Sequence, residues 1–243
     1  MCIRDRFTLL ISLFSETKEI STPTATFSIV GRDPDTGEIG VAVQSKIVAV
    51  GAVVPWAKAG VGAVATQSYA NVTYGLEGLR LLEQGNNPEQ AIDLLIKNDP
   101  NKDLRQVGIL SANGESFNFT GKKCFSWAGG KKGKNYTVQG NILASSKVVD
   151  AMAKEFESSY GKAPLAERLI AALKAAQKEG GDKRGKQSAA LLVVKKDWGY
   201  GGNNDKFRDI RVDEHNKPIE ELHRVYLKHR ELFPRPTKYE IKK

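Results

Sequence analysis

Thr26 is the residue of this chain whose side chain is best placed to take part in a chemical reaction. It opens a stretch of alternating apolar residues within TPTATFSIVGRDPDTGEIGVAVQSK, which runs from Thr22 to Lys46. If the chain is cut before Thr26, this threonine carries a hydroxyl and a free α-amine together. An α-amine has a pKa of about 7.7–8.0, so much of it is neutral near pH 7 and can accept the hydroxyl proton. A threonine exposed in this way would have the groups that an N-terminal nucleophile needs.

The alternation after Thr26 predicts a β-hairpin with the five-residue loop DPDTG. A register centred on Asp35 places Thr26 opposite Gln44 and puts Lys46 diagonally across from Thr26. A lysine ammonium there would lower the pKa of the α-amine by like-charge repulsion. In the alternative interpretation Thr26 merely begins a strand and Lys46 is an exposed strand-end lysine. A register slip of one residue would exchange the two faces of the hairpin.

Three further groups of residues are candidates for roles around this nucleophile. Ser45 could orient the N-terminus, or be an ordinary strand hydroxyl, and Asp33 is either a catalytic acid or a turn former. The segment from Gly62 to Asn71 could offer oxyanion donors from its backbone N–H groups, Gln67 or Asn71, although its glycines equally suit close strand packing.

Asp182 and Arg184 precede a buried apolar stretch, SAALLVV. Their opposite charges could hold the N-terminal amine or a substrate carboxylate. A surface turn is the alternative.

The first twenty-five residues differ in character from the rest of the chain. Arg4 and Arg6 precede an apolar stretch, Phe7–Phe14, and Ala25 is the best small residue for cleavage. We interpret residues 1–25 as a leader, a short signal peptide or a propeptide, and residues 26–243 as one domain. The leader predicts a periplasmic or secreted protein; a retained arm would leave it cytoplasmic.

The composition restricts the class of protein. The chain has 243 residues, of which 40% are hydrophobic, and a net charge of +9. No apolar run reaches the roughly 20 residues that span a bilayer. A basic chain attracts nucleic acid, cell-wall polymer or a membrane surface, but a solvated basic surface accounts for the charge equally well, and we expect no nucleic-acid partner. A homo-oligomer is compatible with the sequence.

The cysteines and histidines do not form a recognisable site. Cys2 lies in the leader, which leaves Cys124 as a small apolar residue. His215, His223 and His229 are not spaced as metal ligands on a helix face. We therefore predict no metal and no cofactor.

The elements that must position these residues are hairpins and paired helices. Apolar periodicity predicts helices over 74–84, 88–97, 146–160, 164–179 and 219–233, and strands near 48–54, 61–66, 187–196 and 210–212. The block QVGILSANGESFNFTG, residues 106–121, predicts a second hairpin that turns at Asn113-Gly114. Hairpins form antiparallel sheets and paired helices cover a sheet face, so we predict an α+β fold with two sheets and helices outside. The pattern alone does not separate a four-layer αββα stack from other α+β arrangements.

Several long blocks of the sequence resemble one bacterial family. They are TFSIVGRDPDTGEIGVAVQSK, VGAVVPWAKAGVGAVATQSYAN, GNILASSKVV, GGDKRGKQSAALLVV and IRVDEHNKPIEEL. The chain is similar over residues 26 to about 229 to the family catalogued as domain of unknown function 1028, which is assigned to the N-terminal nucleophile (Ntn) hydrolases. The resemblance implies the four-layer αββα sandwich and a nucleophile at Thr26, which matches the family's threonine.

These observations predict an amide-bond hydrolase acting on a small amide or peptide. Thr26 would be the nucleophile, Lys46 would tune its amine, and the segment from Gly62 to Asn71 would bind the oxyanion. Two alternatives stay open at this stage. One is a non-catalytic ligand-binding or surface-assembly protein on the same fold, and the other is a basic module for nucleic acid or an anionic polymer.

Overall fold

In the described part of the chain, ten strands form two antiparallel sheets at the centre of the molecule. The structure is a computed structural model that describes Thr24 and residues 26–236, so Ala25 and the rest of the predicted leader lie outside the described residues. The strands are β1 (Thr26–Arg32), β2 (Ile39–Ser45), β3 (Pro55–Lys58), β4 (Gly62–Ser68), β5 (Arg105–Ser111), β6 (Ser116–Thr120), β7 (Gly129–Gly133), β8 (Tyr136–Asn141), β9 (Ser188–Val194) and β10 (Lys206–Val212).

The strands divide unequally between the sheets. One sheet has six strands in the order β10-β9-β2-β1-β8-β7, and the other has four in the order β3-β4-β5-β6. Their inner faces meet in an apolar cluster that includes Val41 and Val43 from the larger sheet and Ala65 and Leu110 from the smaller one. Because β1 is interior to its sheet, the beginning of this strand is flanked on both sides by other strands.

Five helices cover the outer faces of the two sheets. They are α1 (Thr73–Glu83), α2 (Pro88–Lys97), α3 (Lys147–Ser158), α4 (Leu165–Lys178) and α5 (Pro218–Leu232). The first two pack on the four-stranded sheet, where Leu79 and Ile92 meet Ile109. The other three cover the six-stranded sheet, where Met152 and Leu173 pack with Phe27. The predicted α+β class, with two antiparallel sheets and five helices, is confirmed.

The register of the β1–β2 hairpin differs from the predicted one. Thr26 pairs with Ser45, not with Gln44. The loop extends over Asp33–Glu38, with the Asp33 N–H donating to the Glu38 carbonyl at 2.9 Å. This loop is one residue longer than DPDTG, and a change of one residue exchanges the faces of a strand. Phe27 and Ile29 therefore face the helices, whereas Val41 and Val43 face the other sheet.

Three other segments also differ from the prediction. The predicted strand near 48–54 contains a 3-10 helix, Val50–Ala52. The glycine-rich GGKKG is strand β7, and β8 beside it was not predicted.

All five predicted helices are present with ends that differ by at most two residues. In the part of the chain that the structure describes, no helix is both long and apolar enough to cross a membrane.

Candidate active site

Thr26 lies between two strands and is fully buried. It pairs with Ser45 of β2 on one side and with Asn141 of β8 on the other. The alternation of β1 directs its side chain, like that of Ser28, towards the four-stranded sheet. The Thr26 hydroxyl can donate to the Thr24 carbonyl at 2.9 Å or to the Ser45 hydroxyl at 3.2 Å.

Thr24 connects the beginning of β1 to the other sheet. Its N–H donates to the Ser68 carbonyl at 2.7 Å, and the Ser68 N–H donates back to the Thr24 carbonyl at 3.1 Å. The Thr24 hydroxyl also donates to the Ser68 carbonyl, at 2.5 Å. Thr24 therefore bridges the start of β1 and the end of β4 in the other sheet, directly beside Thr26.

Three hydrogen-bond donors meet at the carbonyl oxygen of Thr24. They are the Thr26 hydroxyl at 2.9 Å, the Ser68 N–H at 3.1 Å and the Asn141 Nδ2 at 3.4 Å. Two N–H groups that converge on one oxygen beside a hydroxyl form the arrangement that stabilises an oxyanion during acyl transfer. The position of this carbonyl is therefore suited to bind a substrate carbonyl once Thr24 is absent.

Gln106 fixes the orientation of the Asn141 amide. Its Oε1 accepts from the Asn141 Nδ2 at 3.0 Å and from the Gln67 Nε2 at 2.8 Å. Its own Nε2 donates to the Gly140 carbonyl at 2.8 Å, which determines which end of the Gln106 amide is the oxygen. Asn141 consequently presents its NH₂ group, a donor, towards Thr24.

Gln67 belongs to the same buried network. Its Nε2 donates to the Thr26 carbonyl at 3.4 Å, and its Oε1 accepts from the Ser28 hydroxyl at 2.6 Å. Ser28 also accepts from the Gln139 Nε2 at 2.7 Å. Both ends of the Gln67 amide are thus engaged in this structure, where the side chain holds the backbone of Thr26.

Two buried acceptors and two strained residues also mark this end of the molecule. The Asn141 Oδ1 is buried and has no hydrogen-bond partner among the described atoms, and the buried Ser68 hydroxyl interacts only with the Cys124 thiol among them. Ser68 (φ 67°) and Ile142 (φ 53°) have left-handed backbone conformations, which are unusual for a β-branched residue such as Ile142. Such features also occur elsewhere in the described chain, so they support a site here only together with the donors that meet at the Thr24 carbonyl.

Three of the residues predicted to form the site lie elsewhere or have other roles. Asp33 is at the far end of β1, where its Oδ1 accepts from two loop N–H groups at 3.0 and 3.2 Å. Gly62 is at the far end of β4, and a Cβ there would lie 2.4 Å from the Leu110 carbonyl. Asn71 accepts from the N–H and hydroxyl of Thr73 at the start of α1. These three roles are turn formation, close packing and helix initiation.

The observed register also changes the position of Lys46 relative to Thr26. It is exposed and follows Ser45 directly, so strand alternation does not direct it across β1 towards the Thr26 hydroxyl. Its backbone N–H donates to the Asp182 Oδ2 at 3.2 Å, and its Cδ lies 4.0 Å from the place of a Cβ on Gly185. Lys46 is therefore beside the site, against the 182–187 segment, and not diagonally opposite Thr26.

Asp182 and Arg184 form an ion pair near the start of β1. The Asp182 side chain is fully buried, and its Oδ2 is 3.1 Å from the Arg184 Nη2. Its Oδ1 also accepts from the Arg184 N–H at 2.9 Å. The pair therefore stabilises a loop next to Ser45 and Lys46, as the turn interpretation predicts, and places both residues near the candidate site.

Cys124 has a partly buried thiol beside Ser68. Its Sγ donates to the Arg105 carbonyl at 3.3 Å, and burial raises the pKa of the thiol, although the Ser68 hydroxyl opposes this shift. A raised pKa disfavours the reactive thiolate. Within the described residues, no group of three or more His, Cys, Asp and Glu side chains could hold a metal ion.

Sequence reasoning included Ser68 only as one N–H of the segment from Gly62 to Asn71, and it missed Gln106 and Asn141, two polar residues in buried strands. Ser68, Gln106 and Asn141 are all fully buried. Buried amides are uncommon and need partners, so a polar residue at the end of an apolar strand is a detectable signal. The convergence of Ser68 and Asn141 on Thr24, with Gln106 behind Asn141, could not be detected, because β4, β5 and β8 meet only in the folded molecule.

Comparisons with known proteins identify relatives of this chain. Residues 26–222 match the model of a family described as "Family of unknown function (DUF1028)". The crystal structure of protein SPO2555 from Silicibacter pomeroyi, titled with the same family, has 29% identity and a TM-score of 0.76, and the match covers 89% of this chain and 92% of that one. Anbu (ancestral beta-subunit) from Yersinia bercovieri has 11% identity and a TM-score of 0.39, with 83% and 93% covered. No curated protein matches.

Proposed function

Because the chain belongs to the family of unknown function DUF1028, its activity has to be inferred from the site itself, and we propose an Ntn-type amidohydrolase that acts on a small amide or peptide. The observation that carries this proposal is the convergence of the Thr26 hydroxyl, the Ser68 N–H and the Asn141 Nδ2 on one carbonyl oxygen. Sheets covered by helices on their outer faces also support the αββα architecture of such hydrolases.

The nucleophile in this proposal requires a free Thr26 α-amine. After cleavage before Thr26, the amine accepts the hydroxyl proton while Oγ1 bonds to the substrate carbonyl carbon. The resulting ammonium then gives its proton to the leaving nitrogen as the amide C–N bond breaks, which leaves an ester on Thr26. Water hydrolyses this ester, releases the acid and restores the hydroxyl. Ser45, whose hydroxyl is 3.2 Å from Oγ1, is placed to orient it.

The oxyanion donors are the Ser68 N–H and the Asn141 Nδ2. Ser68 lies within the segment from Gly62 to Asn71 that the sequence indicated, although Gly62 and Asn71 themselves do not reach the site. Asn141 supplies the second donor from the neighbouring strand of Thr26. Removing one such donor lowers kcat by about 10²–10³-fold in acyl-transfer enzymes.

The uncut chain is inactive in this proposal. Thr24 occupies the donors, and Thr26 is fully buried beneath it. Loss of the residues before Thr26 both creates the α-amine and vacates the carbonyl position. If the chain is not cut before Thr26 in the cell, the burial of Thr26 supports the second candidate function, a non-catalytic binding protein on this fold.

The experiment that tests the proposal has two parts. The full chain is expressed in a bacterium, and its intact mass is measured, with a mature start at Thr26 expected. The purified protein is then screened against a panel of amides and short peptides. Thr26→Ala should abolish turnover, and Thr26→Ser should retain part of it because it keeps a hydroxyl and an amine.

The control is the folded state of each variant. Every member of the three apolar clusters lies within residues 27–227, so Thr26→Ala should leave the unfolding midpoint nearly unchanged. Turnover that persists unchanged in Thr26→Ala contradicts the nucleophile assignment. A chain that starts at Thr26 and turns over nothing on a broad panel favours the binding protein.

A further inference from the structure

A loop rich in positive charge passes over the beginning of β1. We define the basic arch as residues 182–187, DKRGKQ. On the β8 side, the Lys183 N–H donates to the Ile142 carbonyl at 2.9 Å. On the β2 side, the Gln187 N–H donates to the Ser45 carbonyl at 3.0 Å. Because β1 lies between β8 and β2, the arch spans the end of the sheet where Thr26 begins.

The arch is held in place by its single acidic residue. Asp182 is buried and accepts from the N–H groups of Lys46 and Arg184, at 3.2 and 2.9 Å. Its carboxylate also pairs with the Arg184 guanidinium. The negative charge of Asp182 is thus used inside the loop, and it is not presented to a molecule that approaches Thr26.

The positive charges of this region outnumber the negative ones. Lys183, Arg184 and Lys186 belong to the arch, and the stem of Lys46 lies against it at Gly185. Lys46, Lys183 and Arg184 are exposed, and Lys186 is half-buried. Two carboxylates oppose these four cations: the buried Asp182, and Glu214, whose Oε1 accepts from the Gln187 Nε2 at 3.4 Å. The balance leaves a net positive charge beside the start of β1.

We propose that the substrate of the Thr26 site carries a carboxylate near its scissile amide, and that the basic arch together with Lys46 binds this carboxylate. This inference rests on the proposed function for the identity of the reacting bond. The anion preference itself depends only on the position of the arch over the start of β1. A carboxylate there would make charge-assisted hydrogen bonds with ammonium or guanidinium groups.

The test measures binding and does not require turnover. The protein is a chain that begins at Thr26, confirmed by intact mass; it retains all members of the three apolar clusters, so we expect it to fold alone. The probes are glutaramate, which has an amide and a carboxylate, and pentanamide, which has the same chain length and no charge. Titration calorimetry should show that glutaramate binds at least about fivefold more tightly, the difference that one modest ion pair provides.

Two double variants locate the effect. Lys183→Gln with Lys186→Gln should weaken glutaramate binding about fivefold and leave pentanamide binding unchanged. The matched control, Lys154→Gln with Lys228→Gln, removes the same charge from exposed positions on α3 and α5 and should change neither.

Three other results would contradict the proposal, each at a different point. Equal binding of the two probes, or binding of neither, refutes the anion preference. An equal loss of glutaramate affinity in the control double variant refutes the role of the arch. Binding would then depend only on the net charge of the protein. The proposed function fails separately, if turnover survives Thr26→Ala, whatever the titrations show.

Discussion

Thr26 and Ser45 lie directly opposite each other in the sheet, and their hydroxyl oxygens are 3.2 Å apart. A register shifted by one residue would put Gln44 opposite Thr26. The observed pairing therefore brings a second hydroxyl, and not a lysine, next to the candidate nucleophile.

This pairing predicts that Ser45 and Lys46 contribute differently, although they are neighbours. With a neutral amide as substrate, Ser45→Ala should lower kcat and alter the pH–rate profile, because the Thr26 hydroxyl loses its polar neighbour. Lys46→Ala should leave the profile nearly unchanged, because Lys46 is exposed and is not directed across β1. The measurement is kcat against pH for both variants. A large alkaline shift in Lys46→Ala alone would restore the predicted lysine role.

Asn141 provides a second prediction. Asn141→Leu removes the Nδ2 donor and should lower kcat by about 10²–10³-fold, with a smaller change in KM. The control is Asn118→Leu: Asn118 also uses its Nδ2, at 2.9 Å from the Thr137 hydroxyl, but that bond lies in a different part of the sheet interface. Circular dichroism checks that both variants fold. Equal losses of kcat in the two would show that Asn141 has only a structural role.

Gly75 provides a prediction about stability. Alanine normally stabilises a helix relative to glycine by about 0.8–1 kcal/mol. At Gly75 in α1, however, a Cβ would lie 2.2 Å from the ring of Trp56, so Gly75→Ala should lower the free energy of unfolding by about 1–3 kcal/mol. The measurement is chemical denaturation.

Gly78, one turn later in the same helix, is the matched control. A Cβ there would lie 3.1 Å from a methyl group of Val64 and 3.2 Å from one of Ile109, and both are ends of side chains that can shift. Gly78→Ala should change stability by less than about 1 kcal/mol. A Gly75→Ala variant as stable as Gly78→Ala would contradict the packing of α1 against β3.

His229 predicts how stability changes at acidic pH. Burial, with a smaller contribution from Arg208, lowers the pKa of His229 below its ordinary value. The neutral ring accepts from the Arg208 Nη1 at 2.8 Å through Nδ1, because an arginine cannot accept. An unfolded histidine has a pKa of about 6.5 and protonates first as the pH falls, which favours the unfolded chain.

The contribution of His229 is therefore complete above about pH 6.5 and decreases below it. His229→Gln should flatten the fall of the thermal midpoint between about pH 6.5 and 5. His215→Gln, at an exposed position outside α5, is the control and should keep the wild-type slope. An unchanged slope in His229→Gln contradicts the prediction.

Local sequence was sufficient for the helices and for the start of β1 at Thr26, whereas the role of Thr26 as nucleophile stays a prediction that rests on the family resemblance. The predicted bounds of α2 equal the observed ones because residues next to each other in the sequence determine where this helix begins. Pro88 occupies the first turn, and Asn87 and Gln90 cap the helix through reciprocal side-chain bonds. The change from leader to alternating strand likewise marked Thr26 without any information from the rest of the fold.

Tertiary structure alone decided which side chains surround Thr26. The register of the β1–β2 hairpin depended on one residue of the loop, and the pattern of the strands does not report the length of a loop. Strand β7 was not predicted because its sequence has no apolar alternation. Ser68, Gln106 and Asn141 come from three strands of two sheets, far apart in sequence. A hydrogen-bond network of buried amides depends on distances of a few tenths of an ångström, and only the packing of the two sheets sets these distances.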